Sequence, residues 1–328
     1  MKLKYFPGLI IFVLTVITTV AESAEVPDRL LRTASRYFEP LPAQMQGAEK
    51  DSADKIELGK KLFNDPRLSI NNTQSCSSCH RLGTGFSGVD NLPTSPGAKG
   101  QLGNRNSPTV LNAGLQTSQF WDGRAKDLVE QAKGPILNPV EMGMPDEQAV
   151  VSKLVAIAEY KEAFARVFPE SSPPLTYQNI AEAIAAFERT LLTPGRFDDY
   201  MKGNIDSLTD TEKQGLDTFI KVGCRQCHDG VLLGGGSFET MGKENPYANQ
   251  SDQGLYTVTK EEADRMVFKV APLRNVALTA PYFHDGKVAT LEEAVRLMGH
   301  LQLDKALSEQ QVNDIVSFLK TLSDKNYK

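Results

Sequence analysis

The sequence predicts a mostly α-helical chain built from two alike halves in tandem, with long loops between the helices. Three observations predict it. The pentapeptide Cys-x-x-Cys-His occurs twice, as Cys76-Ser77-Ser78-Cys79-His80 and Cys224-Arg225-Gln226-Cys227-His228, and uses all four cysteines. A G-x-x-x-F pattern on helical spacing precedes each copy: Gly59 with Phe63, and Gly215 with Phe219. Each half closes on I-x-x-F-x-x-T-L, with Ile184, Phe187, Thr190 and Leu191 in the first and Ile315, Phe318, Thr321 and Leu322 in the second. Spacings of three and four put the apolar members on one helix face.

The halves also echo each other between those helices. Phe120-Trp121-Asp122-Gly123-Arg124 matches Phe283-His284-Asp285-Gly286-Lys287, and Leu128 and Glu130 match Leu291 and Glu293 at equal offsets. Thr193-Pro194-Gly195 breaks the first closing helix and sets the boundary between domains at 25–195 and 196–328. The Gly- and Pro-rich stretches 81–108 and 229–256 read as loops rather than sheet.

Residues 1–24 read as an export leader. Met1 to Gly8 hold two lysines and no acid, Leu9 to Val20 are apolar, and small residues follow at Ala21, Ser23 and Ala24. The apolar run is too short to span a bilayer core of about 30 Å. Cleavage after Ala24 leaves Glu22 at the third position back, and Ala21 is the rival site. The expected address is the periplasm, with no membrane span in the mature chain. The 36 basic and 41 acidic side chains give a net charge of −5, which disfavours nucleic acid and suits a basic protein partner.

Four cysteines in an exported chain would ordinarily suggest disulfides. Their spacing points to covalent haem instead: two thiols add to the two vinyl groups of one haem, and the adjoining histidine supplies the proximal nitrogen. A zinc site would need both pairs at one metal, and it leaves each following histidine unexplained. The chain therefore reads as two cytochrome c-like domains whose loops wrap two covalently bound haems. Cys76, Cys79 and His80 hold the first, and Cys224, Cys227 and His228 the second.

The sixth iron ligand separates electron transfer from chemistry, since a capped haem moves electrons and an open one can bind substrate. Met298 follows Asp285 by 13 residues, on a helix expected to start near Thr290. Periodicity leaves it two readings: a sixth ligand to the His228 haem, or a core side chain filling a gap. The same offset from Asp122 reaches Pro135, which has no donor to offer iron. The repeat thus predicts one Met-capped haem and one without that cap. Six residues further lies Glu141, either an exposed loop glutamate or an acid–base group over an open iron.

The sequence resembles the bacterial dihaem cytochrome c peroxidases and their MauG-type relatives. The resemblance is carried by Leu58-Gly59-Lys60-Lys61-Leu62-Phe63 with Asp65-Pro66-Arg67-Leu68-Ser69, and by Arg105-Asn106-Ser107-Pro108-Thr109 with the Phe120 motif. Leu273-Arg274-Asn275-Val276 and Pro281-Tyr282-Phe283-His284-Asp285-Gly286 complete it. It implies that His80 holds an N-terminal peroxidatic haem, and that His228 and Met298 hold a C-terminal electron-entry haem. Trp121 resembles the tryptophan between the haems. Glu141 and Gln131 match the distal acid–base and its hydrogen-bonding neighbour. Asn106, Thr279 and Pro281 match positions around an interdomain calcium, the last two through backbone carbonyls. His284 matches a nearby histidine that does not ligate.

The implied activity is reduction of hydrogen peroxide with electrons from a small cytochrome c or a cupredoxin, in a protein of a family that is often homodimeric. MauG-type proteins place tyrosine where this chain has Met298, which weighs against a MauG-like oxidase acting on a protein; a non-catalytic dihaem carrier is the other alternative. One departure stands out. Many members hold a histidine in the loop after the first haem motif, where it blocks the peroxidatic iron, but residues 81–105 contain none. The expectation is an iron open in the fully ferric enzyme, with Lys99 as a lesser candidate for the blocking role, since its amine would have to be neutral to bind.

Overall fold

Residues 1–2, 29–83 and 85–326 are described by the structure, a computed structural model. The expected leader falls outside them apart from its first two residues. Twelve α-helices occur among the described residues. The N-terminal set is α1 (Arg29–Ala34), α2 (Ala53–Phe63), α3 (Cys76–Cys79), α4 (Leu128–Leu137), α5 (Glu147–Val155), α6 (Ala158–Val167) and α7 (Tyr177–Glu188). The remainder are α8 (Arg196–Met201), α9 (Asp210–Val222), α10 (Tyr256–Thr259), α11 (Leu291–Leu303) and α12 (Glu309–Lys320). No helix of the described residues is long and apolar enough to cross a membrane.

The expected duplication is visible in the packing. In the first half α2 and α4 lie against α7; in the second α9 and α11 lie against α12. Side-chain caps begin the helices of both sets: Ser52 accepts from Lys55 N, Asp127 from Glu130 N, and Thr290 from Glu293 N. Thr209 with Glu212 and Ser308 with Gln311 form reciprocal capping boxes.

The two G-x-x-x-F glycines have a common cause. A Cβ on Gly59 would lie 1.8 Å from the carbonyl oxygen of Ala183, and one on Gly215 would lie 2.0 Å from that of Asp314. Each glycine lets two helices touch backbone to backbone. The phenylalanine one turn later then meets the closing helix: Phe63 and Phe187, and likewise Phe219 and Phe318, have ring centroids 5.3 Å apart. The loops repeat as well. Asn112 and Asn275 take φ of 61° and 63° before a short 3-10 turn, and Phe120 and Phe283 both take 68°. A left-handed conformation at a bulky residue is costly, so its recurrence at equivalent phenylalanines marks one loop built twice.

Three details differ from the sequence reading. Stretch 229–256 is not all loop: β1 (Phe238–Thr240) pairs antiparallel with β2 (Val267–Lys269). Strands of three residues are too short to show a period of two in the sequence. The first closing helix ends at Glu188, before Thr193-Pro194-Gly195. Finally, α1 and Phe38 pack into the core of the second half, with Phe38 against Phe197 and Phe219. The segment around 193 is a packed junction: the Thr193 hydroxyl accepts from the Asn112 and Asn275 amides at 2.7 and 2.8 Å. Gly195 has no room for a Cβ beside the Thr321 carbonyl.

Candidate functional site: two haem cavities

Each cysteine motif opens onto a cavity. The first, of about 630 Å³, is bordered by Cys76, Cys79, His80, Gln131, Pro135 and Glu141. The second, of about 240 Å³, is bordered by Cys224, Cys227, His228 and Met298. Trp121 borders both. Helix α11 starts after Thr290 as expected and carries Met298 to the His228 cavity, while its repeat partner α4 carries Pro135 to the His80 cavity.

The donor set fits covalent haem. All four cysteines are free thiols. Burial pushes their pKa values up, to about 11 for Cys79 and about 12 for Cys224, so they stay neutral until they react. Burial also lowers the pKa of His80 and of His228, keeping both imidazoles uncharged. Nδ1 of His80 lies 3.2 Å from the Gly88 carbonyl oxygen, and Nδ1 of His228 lies 3.1 Å from that of Leu233. A proton held on Nδ1 by a carbonyl puts the lone pair on Nε2, the form that ligates iron.

Glu141 sits on the first cavity wall. Its Oε1 accepts from Asn138 Nδ2 at 2.7 Å. Burial raises its pKa, with the Asn138 hydrogen bond and the Arg124 charge pulling it partly back. The segment is pinned by the loop after the first haem motif: Ala98 N donates to the Glu141 carbonyl at 2.6 Å, and a Cβ on Gly97 would lie 2.0 Å from the Val140 carbonyl oxygen. Lys99 is exposed and does not border the cavity. Trp121 is fixed by its indole N–H, which donates to the Asn106 carbonyl at 2.8 Å. Its ring stands edge-on to His284, 6.4 Å away. His284 is buried and stacks on Phe268 at 4.2 Å.

Asn106, Thr279 and Pro281 all border the second cavity. The Asn106 amide nitrogen is taken by the Leu92 and Pro93 carbonyls. Asn91 takes the carbonyls of Leu278 and Ala280, which alternate with Thr279 and Pro281. The donors left are neutral oxygens, a set that suits a hard cation completed by water.

Sequence reading missed three residues. Arg105 ties Asp122 to Asp252 with hydrogen bonds of 2.6 to 2.8 Å. Lys269 borders both cavities, and its ammonium donates to Gln116 and to the Ser118 carbonyl. Burial brings its pKa down to about 8 against the pull of Asp122. Glu188, on α7, is buried at the first cavity. The repeat offset carried a signal for Glu188, because the second half has Leu319 there.

The family model for di-haem cytochrome c peroxidase matches residues 53–206. The cytochrome c551 peroxidase of Pseudomonas aeruginosa is 49% identical over 91% of this chain and 87% of its own length. That of Nitrosomonas europaea is 50% identical over 88% and 85%. A solved MauG-like protein associated with microbial copper homeostasis is similar in structure, with a TM-score of 0.76 and 31% identity over 87% of this chain and 94% of that one. The chain belongs to the di-haem cytochrome c peroxidase family. It is accordingly an enzyme of the cytochrome c peroxidase class with two haem cofactors.

Proposed function

We propose that this chain works in the periplasm, reducing hydrogen peroxide to two waters at the N-terminal haem with electrons that enter at the C-terminal haem. The donor is a small cytochrome c or a cupredoxin. The observation that carries the direction of flow is the asymmetry at one repeat position: Pro135 borders the His80 cavity where Met298 borders the His228 cavity. Haem, when bound, supplies the redox-active iron at which peroxide is reduced and the relay between donor and that iron.

The residues do the rest. His80 ligates in the first cavity; His228 and Met298 ligate in the second. With Oε1 of Glu141 occupied by Asn138, Oε2 takes a proton from one peroxide oxygen and returns it to the other. The Gln131 amide orients the substrate beside it. Trp121, fixed at its indole nitrogen, bridges the two cavities. Calcium at Asn106, Thr279 and Pro281 holds the wall of the second cavity in place, and the domains meet at residue 195.

The test is peroxide-dependent oxidation of reduced small cytochrome c by the holoenzyme. Turnover is expected, and it should fall sharply in Glu141→Gln with both haem spectra intact. Unchanged turnover in that variant would refute the acid–base role.

A further inference from the structure

By repeat position the walls of the two cavities are in register. Leu128 corresponds to Leu291, Ala132 to Val295 and Ile184 to Ile315, and all six border their respective cavities. On the helices α4 and α7 the wall changes from apolar to polar at two positions: Gln131 stands for Ala294, and Glu188 for Leu319. Gln131 already has a role in the proposed reaction. Glu188 has none.

Glu188 is 4% exposed, and its Oε2 has no hydrogen-bond partner among the described residues. Burial raises its pKa to about 8, partly offset by Arg189. That guanidinium is itself taken by Asp51, through contacts of 2.5 and 2.9 Å. Other charges facing α7 are similarly engaged: Lys55 of α2 with Asp51 and Glu182, Lys133 of α4 with Glu130, and Lys153 of α5 with the Ser69 carbonyl. Around the same cavity stand Glu141, Arg105, Asp122, Arg124, Asp252 and Lys269. The Cys76 sulfur, close enough to feel the Glu188 charge, ceases to titrate once it is a thioether. An unpaired buried carboxyl is costly, and the second half avoids it with leucine.

We propose that Glu188 is a second, proton-holding carboxyl of the N-terminal haem cavity, gaining a proton when an electron reaches that haem and releasing it when peroxide is reduced. The assignment rests on the N-terminal haem being the peroxidatic one. The balance is one electron from the reduced donor onto iron and one proton from solvent onto Glu188; two of each with one peroxide give two waters. An added electron strengthens the carboxyl's hold on its proton, so the haem's potential must fall as pH rises through the carboxyl's range.

The experiment is potentiometric titration of both haems in the holoenzyme at pH values bracketing 8, for wild type, Glu188→Gln and Glu188→Leu. The expected result is a wild-type N-terminal potential that falls with pH, loss of that slope in both variants, and an unaltered C-terminal slope. The C-terminal haem spectrum reports that each variant is folded. Persistence of the slope in either variant, or its absence from wild type, would overturn the proposal. A slope that both substitutions abolish, in an enzyme that consumes no peroxide, would support the proton linkage and overturn the peroxidase reading alone.

Discussion

A carboxyl that takes a proton and gives it back works best with a pKa near the working pH. Burial moves Glu141 in that direction, and Asn138 and Arg124 limit the move. With the carboxylate as the proposed base, kcat/KM should fall as pH drops through a pKa above the ordinary carboxylate range. In Glu141→Gln that acid limb should vanish and kcat should drop by roughly 10²- to 10⁴-fold; a pH–rate series on both proteins checks it. Met298→Leu keeps the apolar bulk and removes the sulfur. The C-terminal haem should then lose its sixth ligand and its raised potential, as read by its optical spectrum and redox titration. That the cysteine motifs, Met298 and Glu141 border the two cavities was legible, because haem attachment demands fixed residue types at fixed spacings and an internal repeat supplied its own control. Lys269 was not legible as a site residue: what distinguishes it is burial at a cavity, which a lone lysine in a sequence does not reveal, while Glu188 left a trace only in the repeat, where its counterpart is Leu319.

At the scale of elements, the repeat was read from Gly59, Phe63, Ile184 and Phe187 and from their counterparts, and the structure gives the reason those types recur. The helices of each pair cross at a glycine because no Cβ fits against the opposing carbonyl. Gly59→Ala and Gly215→Ala should each destabilise the holoenzyme by about 3 kcal/mol, the upper end of the cost of overpacking. Thermal or denaturant unfolding checks this, with Gly236→Ala, which meets nothing within 4 Å, as the control. The start of α11 after Thr290 was legible, whereas the end of α7 at Glu188 was not. A Thr-Pro-Gly run says where a helix can no longer continue, but tertiary packing decides where it stops. The β1–β2 ribbon escaped notice because its strands are short and far apart in sequence, Phe238 pairing with Lys269.

For the whole molecule, the deciding question is whether the peroxidatic iron needs the other haem to be reduced first. The loop that carries a blocking histidine in many relatives here follows the course Thr94-Ser95-Pro96-Gly97-Ala98-Lys99-Gly100. Ser95, Pro96 and Gly97 border the first cavity and offer no nitrogen side chain, while Lys99 is exposed and does not border it. The loop is also held down, through the 2.6 Å bond from Ala98 N to the Glu141 carbonyl and the close approach of Gly97 to Val140. A swing large enough to bring in a blocking ligand would break the contacts that position Glu141. The fully ferric enzyme should therefore show a high-spin iron by electron paramagnetic resonance alongside the low-spin, Met298-ligated one. It should also oxidise reduced cytochrome c with peroxide at once, with no gain from one-electron pre-reduction. Two low-spin signals, with turnover appearing only after pre-reduction, would mean that some other group caps the first iron and that the loop moves after all.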